Sequence, residues 1–158
     1  MKTTKIKAVL IALDYNPTSQ KVAEFGYAVA KSMDAEVTLL HVLINPTTLY
    51  ESASANMGAW QMNAANIFET HQIIENSSQI FLERAKKHLD NESIKTIQKE
   101  GDTAQMILET ANEIKADCIV MGSHSQKWLE NIIMGSVTEE VLRKTTIPMF
   151  IVPTKKQA

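Results

Sequence analysis

The chain has 158 residues, with 16 basic and 18 acidic side chains, so its formal net charge is −2. We interpret residues 1–158 as one domain, because a chain of this length can bury a real core without disulfides or a structural metal. The near-neutral charge offers no strong field to attract nucleic acid or anionic lipid, and we expect neither as a partner. The single cysteine excludes an intrachain disulfide.

The N-terminal segment carries Lys2, Lys5 and Lys7 ahead of an apolar run that ends at Asp14. That run, Ala8–Leu13, is far shorter than the ~18–20 residues that span a bilayer. No small-residue cleavage site follows it, so it does not resemble a signal peptide. We therefore expect a cytoplasmic protein.

Hydrophobic patterns predict five strands alternating with four helices. Four predicted strands contain apolar runs: Lys5–Asp14, Val37–Val42, Cys118–Gly122 and Pro148–Pro153. The remaining one, Ile94–Lys99, rests on two apolar residues, Ile94 and Ile97. The first predicted helix has Val22, Phe25, Val29 and Met33 on one face, and the second spans Ile67–Leu89. The third follows the capping-box spacing Asp102–Gln105. The fourth runs from a second capping box, Ser136–Glu139, to Lys144. Residues 43–66 show no period and are a predicted long mobile loop, either functional or simply disordered surface, and residues 154–158 are a predicted frayed tail.

The alternation of strands and helices is typical of an α/β protein with a doubly wound parallel sheet and helices on both faces. Ligands of such sheets bind beyond the carboxyl ends of the strands, where the winding direction reverses. The first strand ends at Leu13–Asp14 and the fourth at Met121–Gly122. These two strand ends are therefore the first candidates for a ligand site.

The connection after the fourth strand, Gly122–Glu140, has a glycine at each end of a polar loop and then a helix start. Free N–H groups at a helix N-terminus make an anion site, and Gly135 would let the backbone approach a phosphate closely. The Ser136 hydroxyl would either hold a phosphate oxygen or cap the N–H of Glu139. An ordinary helix cap explains Gly135 and Ser136 equally well. The Walker A loop and the G-x-G-x-x-G fingerprint are both missing.

Several segments together resemble the universal stress protein family. They are GSHS from Gly122, MGSVTEEVL from Met134, IPMFIVP from Ile147, ALD at Ala12–Asp14 and GD at Gly101–Asp102. The ATP-binding branch of that family carries G-x-x-G, nine residues, and then G-[ST]. Gly122 and Gly135–Ser136 match at that spacing, Ser125 stands in place of the second glycine, and Ala12 stands where the family commonly has proline.

The resemblance implies an adenine nucleotide alpha-hydrolase-like fold, with strand order 3-2-1-4-5, and an ATP site. In that site, Asp14 and Val42 would lie beside the adenine, with Ala12 and Leu13 as its floor. The ribose and first phosphate would contact Met121, Gly122 and His124. The phosphates would bind, largely through backbone N–H groups, to Ser125, Gly135, Ser136, Val137 and Thr138. A divalent cation, Mg²⁺ or Mn²⁺, would lie between the phosphates. The resemblance also implies a homodimer through the C-terminal strand Pro148–Val152, with a strand buried inside the monomer as the alternative.

No catalytic set emerges from the sequence. It shows no Ser–His–acid order, no paired carboxylates on one helix face and no metal-ligand spacing, so we do not expect an enzyme. His41 fits a hydrogen-bonded core histidine, and Cys118 fits an inert core cysteine. The expected function is that of an ATP-binding regulatory factor in the stress response, acting on an unknown protein partner. The alternatives are a nucleotide-free dimeric interaction module and a slow ATPase or autophosphorylating protein.

Overall fold

A computed structural model describes residues 5–45, 48, 64–123 and 134–154. Its strands are β1 (Ala8–Ala12), β2 (Glu36–Leu43), β3 (Lys95–Glu100), β4 (Cys118–Gly122) and β5 (Met149–Val152). The helices in the described ranges are α1 (Ser19–Ser32), α2 (Ala64–His88), α3 (Thr103–Glu113) and α4 (Ser136–Lys144). Strands and helices therefore alternate as predicted, and each predicted strand overlaps an observed one.

The five strands form one parallel sheet in the order β3-β2-β1-β4-β5, which confirms the predicted fold class. β1 lies in the centre and pairs with β2 on one side and β4 on the other. The Asp117 carboxylate strengthens the second pairing, because it accepts hydrogen bonds from the backbone N–H groups of Lys7 at 2.7 Å and Ala8 at 3.0 Å. β5 lies at one edge of the sheet and pairs only with β4.

A hydrophobic core lies on each face of the sheet, because both faces are covered by helices. Val9 and Ile11 of β1 point toward α1 and α2, whereas Leu10 points toward α3 and α4. All three are completely buried. This explains why the central strands read as continuous apolar runs rather than as alternating ones.

The predicted apolar face of α1 is wrong at Phe25, which is 51% exposed. The buried stripe consists instead of small residues and one valine: Ser19, Val22, Ala23, Gly26 and Ala30. A Cβ built on Gly26 would lie 2.8 Å from Cδ1 of Ile11 and 3.0 Å from Cγ1 of Val120. The helix therefore packs directly on the sheet through Gly26, and this contact turns the large Phe25 side chain outward.

The two predicted capping boxes have different outcomes. Asp102 caps α3, because its Oδ1 accepts a hydrogen bond from the Gln105 N–H at 2.9 Å; the Gln105 amide donates to Glu109 instead of returning to the cap. The Ser136 cap is wrong. The N-cap of α4 is Gly135, and its carbonyl accepts the Glu139 N–H at 3.0 Å.

The predicted loop 43–66 lies mostly outside the described residues. Leu43 is the last residue of β2, and Ala64 begins α2. Residues 46–47 and 49–63 are not among those described, and neither are residues 155–158 of the predicted tail. In the described ranges, no helix combines the length and apolar character needed to cross a membrane.

Candidate functional site

A cavity of about 810 Å³ lies at the carboxyl ends of β1, β2 and β4. This volume lies in the range of ~300–1,000 Å³ that is usual for small-molecule sites. The starts of three helices also line it, through Ser19 of α1, Thr103 of α3 and Ser136 of α4. The cavity therefore occupies the position beside β1 and β4 where ligands bind in open α/β sheets.

The structure brings ten of the twelve predicted site residues together around this cavity. They are Ala12, Leu13, Asp14, Val42, Met121, Gly122, Gly135, Ser136, Val137 and Thr138. The other two, His124 and Ser125, lie outside the described residues. The folded chain thus assembles one surface from three separate parts of the sequence.

The start of α4 presents unpaired backbone N–H groups to the cavity. Gly135 is the N-cap, with an ordinary extended backbone (φ −71°, ψ 160°). The N–H groups of Ser136, Val137 and Thr138 occupy the first three helical positions and have no partner within the helix. Because the N–H of Glu139 bonds to the Gly135 carbonyl, the Ser136 hydroxyl is not needed as a cap and is exposed.

Thr138 joins the start of α4 to the end of β4. Its side chain is only 4% exposed, and its hydroxyl donates a hydrogen bond to the Gly122 carbonyl at 2.9 Å. The hydroxyl is therefore occupied by the backbone. This contact fixes the start of α4 against the cavity floor. The N–H of Thr138 remains at the cavity.

Gly122 forms a closely packed part of that floor. A Cβ at this position would lie 3.0 Å from Cγ2 of Thr154 and 3.0 Å from Cγ2 of Val22. These distances are tighter than ordinary van der Waals contacts, so a side chain here would require the two methyl groups to shift. Packing therefore favours the glycine that the motif provides, independently of any ligand.

Asp14 lies at the cavity and also stabilises the turn after β1. Its Oδ1 accepts a hydrogen bond from the Asn16 N–H at 3.2 Å, and the residue is exposed. The turn occupies one carboxylate oxygen only. Asp14 therefore has a structural role and still presents a carboxylate to the cavity.

Sequence reasoning missed an aromatic cluster at the cavity mouth, formed by Tyr15, His41 and Phe81. The ring centroids lie 4.5 Å apart for Tyr15 and His41, 5.0 Å for Tyr15 and Phe81, and 5.4 Å for His41 and Phe81. Tyr15 and His41 also line the cavity. Tyr15 follows Asp14 and His41 precedes Val42, at the ends of neighbouring strands. This position beside two predicted site residues could have identified both as cavity residues.

His41 is a buried histidine with a defined tautomer. It is 5% exposed, and Nδ1 lies 2.7 Å from the Leu13 carbonyl oxygen. A carbonyl can only accept, so Nδ1 carries the proton. Burial lowers the pKa of His41, and this outweighs the opposing effects of that hydrogen bond and of the Asp14 charge. The imidazole is therefore neutral near pH 7, as expected for a hydrogen-bonded core histidine.

Tyr15, a member of this cluster, lies close to Ser78. Burial raises the pKa of Tyr15 and outweighs the opposite effect of the Ser78 hydroxyl. The Ser78 hydroxyl is nonetheless a fully buried group without a partner in hydrogen-bond geometry. Tyr15 therefore remains a neutral phenol at the cavity mouth.

Cys118 lies in the core, away from this chemistry. It is 5% exposed, and burial raises the pKa of its thiol. A protonated, inaccessible thiol is a poor nucleophile. The structure thus agrees with the prediction of an inert core cysteine.

Charged side chains contribute little to the described wall of the cavity. Asp14 and Glu139 are its only carboxylates, and it includes neither lysine nor arginine. Within the described wall, the groups that can attract an anion are therefore backbone N–H groups and helix starts. The fold defines a doubly wound α/β protein, and it has a cavity of small-molecule size at its switch point.

The family model of the universal stress protein family matches residues 5–153. The chain therefore belongs to the universal stress protein family. Universal stress protein MJ0531 from Methanocaldococcus jannaschii is 30% identical over 154 residues, which cover 96% of this chain and 84% of that protein. These matches confirm the resemblance that the motifs predicted.

Solved structures agree with the fold. Hypothetical protein MJ0577, solved as a test case of structural genomics, superposes with a TM-score of 0.73 at 25% identity, covering 98% of this chain and 100% of that one. A universal stress protein in complex with cAMP superposes with a TM-score of 0.65 at 18% identity, covering 96% and 100% of the two chains. The adenine nucleotide alpha-hydrolase-like fold is thus confirmed.

Proposed function

We propose that this chain binds ATP in the cavity at the ends of β1, β2 and β4 and acts in the cytoplasm as a nucleotide-dependent regulator of the stress response. One observation carries the proposal: the unpaired N–H groups of α4 and the carboxyl ends of these strands line the same cavity of about 810 Å³. The resulting site is apolar on one side and offers hydrogen-bond donors on the other.

The two sides of the cavity fit the two ends of a nucleotide. Leu13 and Val42 provide an apolar surface for a base, next to the Asp14 carboxylate, which can accept a hydrogen bond from an exocyclic amino group. The N–H groups of Ser136 and Val137 provide donors for phosphate oxygens. A universal stress protein of the same fold binds cAMP, which makes adenine nucleotides the first ligands to test.

A divalent cation would enter this site with the phosphates. The described cavity wall offers only two carboxylates, and Glu139 is already paired with Arg143. The residues present therefore fit Mg²⁺ or Mn²⁺ that takes its ligands chiefly from phosphate and water oxygens. Such an ion would neutralise phosphate charge that this chain, with no lysine or arginine in the described wall, leaves uncompensated.

The proposed role is binding rather than catalysis. The described cavity holds no nucleophile paired with a base: His41 uses Nδ1 for Leu13 and is packed among aromatic rings. Nucleotide occupancy would instead shift the population of a conformation that a partner protein recognises. ATP turnover well above the uncatalysed background would replace this proposal with that of an ATPase.

Calorimetry and release of bound nucleotide test the proposal. We expect adenine nucleotide in the supernatant of denatured protein, or a saturable heat when ATP and Mg²⁺ are titrated into the purified chain. Absence of nucleotide, together with no heat at millimolar ATP, would contradict ATP binding. It would favour the nucleotide-free interaction module, for which Ser125 in place of the motif glycine is the specific sequence feature.

We further propose a homodimer in which β5 pairs with its copy across a two-fold axis. β5 is an edge strand, and its Phe150 is 40% exposed, so the strand leaves both backbone groups and apolar surface without cover. Light scattering at micromolar concentration should return a dimer, and Phe150→Lys should return a monomer. Phe68→Lys is the matched control, because Phe68 is 63% exposed on α2; a monomeric wild type would contradict the dimer.

A further inference from the structure

Three ligand-type side chains converge where α2 faces the end of β3, outside the cavity. His71 and Glu75 lie one turn apart on α2, and Glu100 is the last residue of β3. His71 Nε2 lies 2.7 Å from Oε2 of Glu100, and His71 Nδ1 lies 3.8 Å from Oε2 of Glu75. One nitrogen or oxygen atom from each residue can be chosen so that all three lie within 4.8 Å of one another.

The charges in this cluster are not balanced by the chain itself. Most other acidic side chains with an ion pair have a lysine or arginine partner: Glu36 with Lys95, Glu92 with Lys86, Glu113 with Lys99, Glu139 with Arg143 and Glu140 with Lys144. Among the described residues, Glu75 and Glu100 pair only with His71. Lys99, the neighbour of Glu100 in sequence, is bound to Glu113 on α3.

A neutral imidazole carries a single N–H, so one of its two ring nitrogens keeps a lone pair that can bind a metal ion. The carboxylates of Glu100 and Glu75 lie 2.7 Å and 3.8 Å from the ring nitrogens and would add negatively charged oxygen ligands to such a site. The side chains of His71 and Glu100 are 22% and 33% exposed, so the cluster is partly shielded from competing water.

We propose that His71, Glu75 and Glu100 form a binding site for a divalent transition-metal ion, and that Zn²⁺ is the ion that fits. One imidazole nitrogen and two carboxylates supply three protein ligands, and water completes a tetrahedral site. Imidazole favours Zn²⁺ over the hard ions, whereas Mg²⁺ prefers six oxygen ligands. Ligands of a tetrahedral zinc lie about 3.3 Å apart, given Zn–N and Zn–O distances near 2.0–2.1 Å.

Shifts of about 1.5 Å or less in each ligand separation would reach that spacing, because the three ligand atoms already lie within 4.8 Å of one another. The 2.7 Å contact between His71 and Glu100 must open by about half an ångström, and the Glu75 carboxylate, 46% exposed, is free to move inward. The sequence pattern did not show this site because Glu100 is 29 residues from His71 and joins it only through the fold.

The site is placed so that a bound ion would fix the wall of the cavity. Ile74, between the two α2 ligands, lines the cavity, and so does Leu43, the register partner of Glu100 in β2. A metal ion would therefore join α2 to the edge of the sheet beside the cavity. This inference does not rest on nucleotide binding, and it stands whether or not the cavity holds ATP.

Calorimetric titration of Zn²⁺ into the full chain, first stripped with EDTA, tests the site. We expect one Zn²⁺ per chain in the presence of millimolar Mg²⁺, and a rise in melting temperature of about 5–10 °C at ~100 times the dissociation constant. His71→Asn and Glu100→Gln should each weaken binding by roughly tenfold or more. Each variant is first melted without metal, so that a folding defect is separated from a lost ligand.

His88→Asn is the matched control. His88 lies on the same helix and contacts a carboxylate at the same 2.7 Å, but Glu24 is its only carboxylate partner among the described residues. It should leave Zn²⁺ affinity unchanged. No binding of Zn²⁺ to the wild type would overturn the proposal; so would binding that survives both His71→Asn and Glu100→Gln.

Discussion

The Thr138 hydroxyl donates to the Gly122 carbonyl across 2.9 Å, and this single bond holds the start of α4 to the end of β4. Thr138→Val keeps the shape of the side chain and removes the donor. The partly buried carbonyl then loses this partner, so the free energy of unfolding should fall by about 1 kcal/mol. Urea unfolding of the two proteins measures this difference.

Thr138→Ser provides the control for that experiment, because it retains the hydroxyl and removes only a methyl group. It should cost less stability than Thr138→Val. If nucleotide binding depends on the position of α4, Thr138→Val should also weaken ATP binding more than Thr138→Ser does. Equal stability of the wild type and Thr138→Val would show that the bond contributes nothing.

A valine at Gly135 should weaken ATP binding strongly and leave the fold intact. Gly135 has an ordinary φ of −71°, so a side chain does not strain the backbone. The valine would occupy space where phosphate approaches the N–H groups of α4, and losing one or two such charge-assisted bonds weakens affinity roughly 10- to 100-fold. Calorimetry measures the affinity, and circular dichroism checks the fold.

Ala28→Val is the comparison variant, because Ala28 is exposed on α1 and does not line the cavity. It introduces the same side chain at a remote site and should bind ATP as the wild type does. Retained affinity in Gly135→Val would mean that the phosphates lie elsewhere.

Gly26→Ala should destabilise the protein, although alanine is the better helix former by about 1 kcal/mol. The new Cβ would meet Cδ1 of Ile11 at 2.8 Å, and such overpacking costs roughly 1–3 kcal/mol. Ile11→Val removes that Cδ1 atom. The alanine should therefore cost less in the Ile11→Val background, with a coupling of about 1 kcal/mol in a double-mutant cycle. Strict additivity would contradict the contact.

Stability should depend on pH through His41. Burial lowers its pKa in the folded chain below the ordinary value, so the unfolded chain takes up a proton more readily. The stability that neutral His41 provides is complete above about pH 6.5 and is lost as the pH falls from there toward the lowered folded pKa. His41→Asn should reduce this acid-side loss in urea unfolding. An identical pH profile for the two proteins would rule His41 out.

The alternation of strands and helices could be predicted from local hydrophobic patterns. The run at Cys118–Gly122, for example, is apolar because both faces of β4 are buried. The strand order and most of the cavity residues were instead implied by the resemblance to the universal stress protein family, which rests on motifs such as the spacing of Gly122 and Gly135–Ser136.

Two of the features that escaped prediction depend on contacts between separate elements, and a third is a local choice between the neighbours Gly135 and Ser136. Phe25 has helical spacing with Val22, but the close approach of Gly26 to Ile11 decides which side of α1 faces the sheet. Ser136 has capping-box spacing, but the acceptor of the Glu139 N–H is one residue earlier, at the Gly135 carbonyl. The contact between Tyr15 and Phe81 likewise exists only after α2 has packed.

Because β1 lies in the centre of the sheet, its two sides can pair only at different times during synthesis. One side of β1 pairs with β2 soon after it in the sequence, but the other side needs β4, and the Asp117 carboxylate that anchors Lys7 is 110 residues away. At ~5–20 residues per second, synthesis leaves that side of an apolar strand unpaired for roughly 5–20 s. The early half of the chain therefore emerges with an open apolar strand edge, which stays available for pairing until β4 has been synthesised.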